Sequence, residues 1–259
     1  MDLKEAHELR GMDPEEHWYY ASKSLPLFRE CERAIAANQG RPIAIADVGA
    51  GEGVFARALI RRFPEGISRA TLIDSGYETE EACLDSLIGG VPVTRVRSLP
   101  SRLEAGLVLL MDVLEHIEDD AEFLRRVVVS AAPGTRFFIT VPAFRLLWSK
   151  HDLYLGHFRR YRLKELASLC LGAGLELQEK FYFFATIFPA VFALRALRAV
   201  SGGEGTRSDL RPAHPAVNAL LKKLLLLESL WCRANRLLGV SAVVCAQSRM
   251  SRLSSGPAQ

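Results

Sequence analysis

IAIADVGAGEGVF, Ile43 to Phe55, decides the fold. The mostly apolar segment up to Val48 reads as a buried strand, glycines follow at 49, 51 and 53, and an apolar run resumes at Val54 as a helix start. Three missing side chains at a strand-to-helix turn let the backbone bend sharply and lie close against a ligand, and Asp47 stands just before them. A nucleotide-like cofactor is expected there. The dinucleotide fingerprint G-x-G-x-x-G requires glycine at 54, where the chain has Val54.

Working outward, Val54 to Phe63 reads as an amphipathic helix and Ala70 to Ile73 as a short strand ending in Asp74. Asp74 follows Gly53 by 21 residues, the length of one helix and a return to the neighbouring parallel strand. An acid at that edge accepts hydrogen bonds from ribose hydroxyls; beside the glycine turn this reading outweighs that of a turn residue. A helix from Glu80 to Ile88, capped by Thr79, is expected to end at Gly89-Gly90, and Val91 to Val96 supplies a third strand, with Ser98 and Leu99 bordering an adenine. Gly106 to Met111 is apolar throughout, as suits a central strand buried on both faces, and runs into Asp112-Val-Leu-Glu-His116. A helix from Asp119 to Ala131 and a strand from Thr135 to Val141 follow. This alternation predicts an α/β, doubly wound open sheet.

Upstream, Ser24 to Ala37 reads as a helix, and the aromatic stretch His17 to Lys23 as the anchor of an N-terminal arm or a lid on the cofactor. Downstream, Leu163 to Leu171 is helical, Leu175 to Phe184 is the sixth strand and Ser241 to Ser248 the last. The 56 residues between those strands far exceed an ordinary loop. They read as a helix from Ala185 to Val200 with Pro189 in its first turn, a flexible bridge from Ser201 to Pro215, and a helix from Val217 to Leu238 stopped by Gly239. The expected division is therefore 1–184 plus 240–250 as the cofactor-binding domain, 185–239 as a helical cap, and 251–259 as a flexible tail. The wide apolar face of the second helix suits a pocket cap or a homodimer surface, or an interfacial helix pair admitting a lipid.

The chain has 259 residues, 49% apolar and 24% charged, with a net charge of +3, too mild to suggest nucleic acid. Five scattered cysteines without C-x-x-C spacing suggest neither disulfides nor zinc. The charged N-terminus lacks an apolar signal core, and the longest uncharged apolar run, Phe181 to Leu194, contains Pro189 and is short of the roughly 20 residues a spanning helix needs. Cytoplasmic residence is the expectation, with peripheral membrane contact left open.

DVGAGEG (47–53), LID (72–74), LLMDVLEHIED (109–119), PGTRFFITVPA (133–143) and WSKHDLYLGHFRRY (148–161) occur in an order that resembles the ubiquinone-pathway and type 11/12 branch of the class I S-adenosylmethionine-dependent methyltransferases. The resemblance covers roughly residues 15 to 185 and a short C-terminal strand. It implies a Rossmann-like seven-stranded sheet of order 3-2-1-4-5-7-6 with the helical insertion between the last two strands. It also implies S-adenosyl-L-methionine as cofactor: Asp47, Gly49, Gly51 and Gly53 at its methionine and ribose part, Asp74 at the ribose, Met111 and Asp112 near the sulfonium. Ser98 and Leu99 stay at the adenine, where RVRSLP (95–100) lacks the family's acid.

Methyl transfer needs alignment, exclusion of water and, for an oxygen acceptor, a base. Histidine titrates in the right range, so His151, then His157 and His116, are the catalytic candidates. Asp112, Glu115 and His116 share a helical face and could hold a metal, but no fourth donor is local; solvated helix-start charges are the simpler account and no metal ligands are assigned. Arg159, Arg160, Arg162 and Lys164 could receive an anionic group or pair internally. The expected function is O-methylation of an apolar, lipid- or quinol-like small molecule; the alternative is a catalytically silent cofactor-binding subunit that acts through its helical insertion.

Overall fold

The structure, a computed structural model, describes residues 13–78, 83–200 and 213–249. Helix α1 (Trp18–Ala37) leads into β1 (Ile43–Val48), the glycine turn and α2 (Val54–Arg62). Then come β2 (Ile67–Ile73), β3 (Cys83–Ile88), β4 (Val91–Val96), β5 (Leu107–Met111), α3 (Asp120–Ser130) and β6 (Arg136–Pro142). A short α4 (Lys150–Leu155), α5 (Leu163–Gly172) and β7 (Leu175–Phe183) are followed by α6 (Phe188–Val200), α7 (Pro215–Ser229) and β8 (Ser241–Ser248).

One eight-stranded sheet runs in the order β3-β4-β2-β1-β5-β6-β8-β7. Without β3 this is the expected seven-stranded order, with β7 and β8 antiparallel to each other. The eighth strand corrects the helix expected from Glu80 to Ile88. Gly89 and Gly90 both take positive φ, 56° and 84°, so they form a two-residue hairpin turn that pairs Ile88 with Val91 rather than stopping a helix. Thr79 and Glu80 lie outside the described residues.

Two apolar layers cover the sheet. Tyr20, Leu27, Phe55, Leu59 and Leu225 pack on one face, and Leu124, Val127, Leu163 and Leu166 on the other. The chain leaves β1 for β2 on one side and reaches β5 on the other, in parallel registers that align Asp47 with Leu72 and Leu109. Strand order therefore switches at β1, and a crevice opens at the carboxyl edge beside Asp47, Asp74 and Asp112.

Helix α1 begins at Trp18, ahead of the expected Ser24, and carries Pro26 inside. Its first turns pack too well to stay irregular: Tyr19 stacks on Phe184 at 5.3 Å and Tyr20 meets Phe55 at 6.0 Å. In the insertion, α7 ends at Ser229, well before Gly239. The buried Glu228 at its end accepts hydrogen bonds from the Ala185 and Thr186 N–H groups at 2.7 and 2.9 Å and from Thr186 Oγ1 at 2.5 Å. At its start, Asn218 Oδ1 accepts from the Trp18 N–H at 2.8 Å, and Asn218 Nδ2 donates to the Glu16 carbonyl at 3.0 Å. Leu220 and Leu227 of α7 point outward at 65% and 61% exposure, whereas Leu225 is buried. No described helix is long and apolar enough to cross a membrane. The expected tail 251–259 and most of the 201–215 bridge lie outside the described residues.

Candidate active site

The turn after β1 is built without room for side chains. A Cβ on Gly49 would stand 2.5 Å from Val113 Cγ2 and one on Gly53 2.7 Å from Leu72 Cδ1, and both residues take positive φ. Asp74 holds the turn, accepting from the Gly51 N–H at 2.7 Å and the Gly76 N–H at 2.9 Å. Tyr77, which sequence reasoning missed, donates its hydroxyl to the Gly51 carbonyl at 2.7 Å. Asp47 is 1% exposed, and among the described residues neither carboxylate oxygen has a hydrogen-bond partner. Burial first, with the Asp74 charge adding to it, pushes the Asp47 carboxyl up to about 7.

Two cavities open at the sheet edge. One, of about 340 Å³, is lined by Gly49, Asp74, Arg97, Leu99 and Val113 among others. The other, of about 260 Å³, has aromatic and aliphatic walls from Trp18, Tyr19, Phe184 and Val191 and carries His151, His157 and Arg160. Asp112 and His116 line both cavities. They are the junction. Asp112 takes φ +56°, uncommon for a residue with a Cβ, and its carboxylate is held by the buried Lys23 ammonium, by the Tyr19 hydroxyl at 3.1 Å and by Thr140 Oγ1 at 3.1 Å. Burial alone would raise the Asp112 carboxyl, but the Lys23 charge and its hydrogen bond prevail and hold it below the usual range. The stretch His17 to Lys23 thus joins the site as the start of α1.

The histidine loop is tied to the crevice through its backbone. The Phe158 N–H donates to the Glu115 carbonyl at 2.7 Å, which sets the His157 ring edge-on to His116 with centroids 4.6 Å apart. His157 Nδ1 lies 2.9 Å from Asp152 Oδ1, and a carboxylate only accepts, so Nδ1 carries the proton. Burial opposes ionisation of Asp152, yet hydrogen bonds from His157 and Arg160 keep it well below the usual carboxylate range.

The structure brings most expected site residues to the two cavities. Ser98 is exposed and lies outside either lining, while Leu99 lines the first cavity. Met111 is buried in the core beneath the site, its sulfur 4.0 Å from Thr140 Oγ1. Leu114–His116 forms a single 3-10 turn, not an α-helix, and Glu115 is fully buried, so the picture of solvated helix-start charges does not hold. Of the basic cluster, Arg160 is buried and donates to Asp152 and the Ala143 carbonyl, and Arg159 pairs with Asp120 at 3.1 Å. These arginines pair internally.

A methyltransferase-domain family model matches residues 19–180, well over half of the chain. The chain belongs to this methyltransferase family. Among solved structures, the methyltransferase is similar to a chain of the complex between the Haloferax volcanii Trm112 methyltransferase activator and the putative methyltransferase, at 16% identity and TM-score 0.54 over 97% of this chain and 98% of that one. It is also similar to a putative sarcosine dimethylglycine methyltransferase from Galdieria sulphuraria, at 15% identity and TM-score 0.47 over 85% and 86%. The first of these likenesses bears on the fold alone. Among curated proteins none matches the chain.

S-adenosylmethionine is the cofactor of this methyltransferase, and the residues present fit it. The glycine turn leaves backbone, not side chains, to meet the ligand, and the orphaned Asp47 oxygens suit a cationic, hydrogen-bonding partner such as an α-amino group.

Proposed function

We propose that this methyltransferase, in the manner of the ubiquinone-pathway and type 11/12 branch, methylates a hydroxyl oxygen of an apolar, lipid- or quinol-like small molecule. The observation that carries the reading is the meeting of two cavities, one at the glycine turn and one aromatic and histidine-bearing, at Asp112 and His116. Asp47, Gly49, Gly51, Gly53 and Asp74 would hold the donor, with Leu99 at its adenine. When bound, S-adenosylmethionine supplies a methyl group on a sulfonium, already activated for in-line displacement. The protein's task is the acceptor. Trp18, Tyr19 and Phe184 would exclude water from it, and His151 would take the proton of the acceptor hydroxyl.

His151→Ala should keep its affinity for the demethylated cofactor in calorimetry and lose about 100-fold or more in turnover. Equal turnover in the variant removes His151 from the mechanism. A panel of phenols, apolar acids and lipid extracts with labelled methyl donor tests the acceptor atom; label appearing only on nitrogen or sulfur overturns O-methylation.

A second reading is favoured by the outward apolar row of the insertion, Leu220, Leu227, Leu230 and Trp231. There the chain is a cofactor-binding subunit docked on another protein or on its own copy through α6 and α7, and the structural neighbour solved with an activator protein gives that reading a precedent. Cofactor binding without turnover on any acceptor would favour it. Peripheral membrane contact by the same row in a cytoplasmic protein predicts flotation with liposomes; no flotation at low salt removes it.

A further inference from the structure

The Glu115 side chain is fully buried, and among the described residues neither of its carboxylate oxygens has a hydrogen-bond partner. A buried carboxylate left so carries a desolvation penalty of several kcal/mol, of order, unless a cation or a proton meets it. Two imidazoles stand beside it: one donor atom each from Glu115, His116 and His157 lie within 4.8 Å of one another. His157 is preset for the same point. Its Nδ1 proton goes to Asp152, so in the neutral ring Nε2 keeps a lone pair. A carboxylate behind an imidazole is the arrangement that orients metal-binding histidines and raises their basicity. Asp152 is itself fixed by Arg160 Nε at 2.6 Å and the Ser149 N–H at 2.8 Å.

We propose that Glu115, His116 and His157 bind one divalent transition-metal cation, Zn²⁺ being the best-matched ion. Two imidazoles with one carboxylate suit a borderline cation, whereas Mg²⁺ and Ca²⁺ favour oxygen donors throughout. Tetrahedral donors about 2.1 Å from zinc stand roughly 3.4 Å apart, so donors now within 4.8 Å close by up to about 1.4 Å on loading, within reach of side-chain rotation. Three protein ligands leave a coordination position open, and both histidines line the acceptor cavity. An acceptor hydroxyl at that position would lose its proton more readily. This last role rests on the O-methylation reading; metal binding does not.

The full-length protein, stripped with a chelator and titrated with Co²⁺, should develop visible d–d absorption that saturates near one equivalent and is displaced by Zn²⁺. Glu115→Gln and His157→Gln should each weaken Co²⁺ binding by about tenfold or more. His151→Ala, which removes no ligand, should bind Co²⁺ as the wild type does, whatever happens to its turnover. Thermal melts guard against misfolding and add a second readout: metal-free Glu115→Gln should melt at or above the wild type, since the variant replaces a fully buried carboxyl group with a neutral amide of the same shape. Absence of Co²⁺ absorption in the wild type, or equal Co²⁺ affinity in the ligand variants, overturns the site. Saturable Co²⁺ binding without O-methyl product leaves the site standing and overturns the function proposed above; O-methyl product from a protein that binds no Co²⁺ does the reverse.

Discussion

Asp47 shows how a single buried group ties cofactor binding to stability. Its carboxyl, raised to about 7 by burial, keeps in the folded apo protein a proton that the unfolded chain releases near pH 4, roughly. Between those values the folded state binds more protons, so apo stability is greatest below the unfolded value and falls as pH rises through the folded one. Asp47→Asn should therefore be more stable than the wild type at pH 8 without cofactor, with the gap closing on acidification. Urea melts across pH check this, and a pH-independent difference overturns the assignment. The same variant should bind S-adenosylmethionine more weakly in calorimetry, because an amide offers a cation no charge. Gly49 and Gly53 were legible as glycines a ligand needs, but Tyr77 was not: nothing in its sequence context marks a hydroxyl aimed at the Gly51 carbonyl.

At the scale of elements, the hairpin of β3 and β4 and the two insertion helices carry the lessons. Gly89-Gly90 was read as a helix stop, a role glycine does serve; two consecutive positive φ values make it a hairpin turn, and strand pairing decides between the two. One carboxylate joins the two ends of the insertion. Glu228 satisfies the Ala185 and Thr186 N–H groups where β7 ends, a point at which no strand or helix bonds them. Glu228→Ala should destabilise the protein by about 3 kcal/mol, the range for truncating a buried charged hydrogen-bonding group. Chemical denaturation measures it; a change below about 0.5 kcal/mol would show that solvent replaces the carboxylate.

Across the whole molecule, the aromatic cavity proposed for the acceptor is a joint product of distant segments. Its walls come from α1, the turn after β5, the histidine loop and α6, and α7 grips the start of α1 through Asn218, which bonds the Trp18 N–H and the Glu16 carbonyl. Loosening that grip should disturb the acceptor without touching the donor. Asn218→Ala is expected to speed amide exchange at Trp18 and to raise the acceptor KM severalfold while leaving cofactor affinity unchanged. Unaltered exchange and KM would show that the aromatic stacking of Tyr19 on Phe184 suffices to seat α1.

The amino-acid sequence by itself determined the parallel core of the sheet and the glycine turn at its carboxyl edge. Those features are local: a strand, a glycine turn and a helix start within 13 residues, Asp74 one helix further on, and a hydrophobic run ending in Asp112. Only the tertiary structure decided what surrounds them. Lys23 reaches Asp112 across 89 residues, and His157 comes to Glu115 and His116 because one backbone hydrogen bond from Phe158 closes a loop of 43 residues. A pattern of single residues carries no record of such pairings, since chain segments far apart meet only when the sheet, once formed, gives both an edge on which to end. Reading Asp112, Glu115 and His116 as one helical face was natural from their spacing; the 3-10 turn parts them, sending Asp112 to Lys23 and leaving Glu115 beside two histidines.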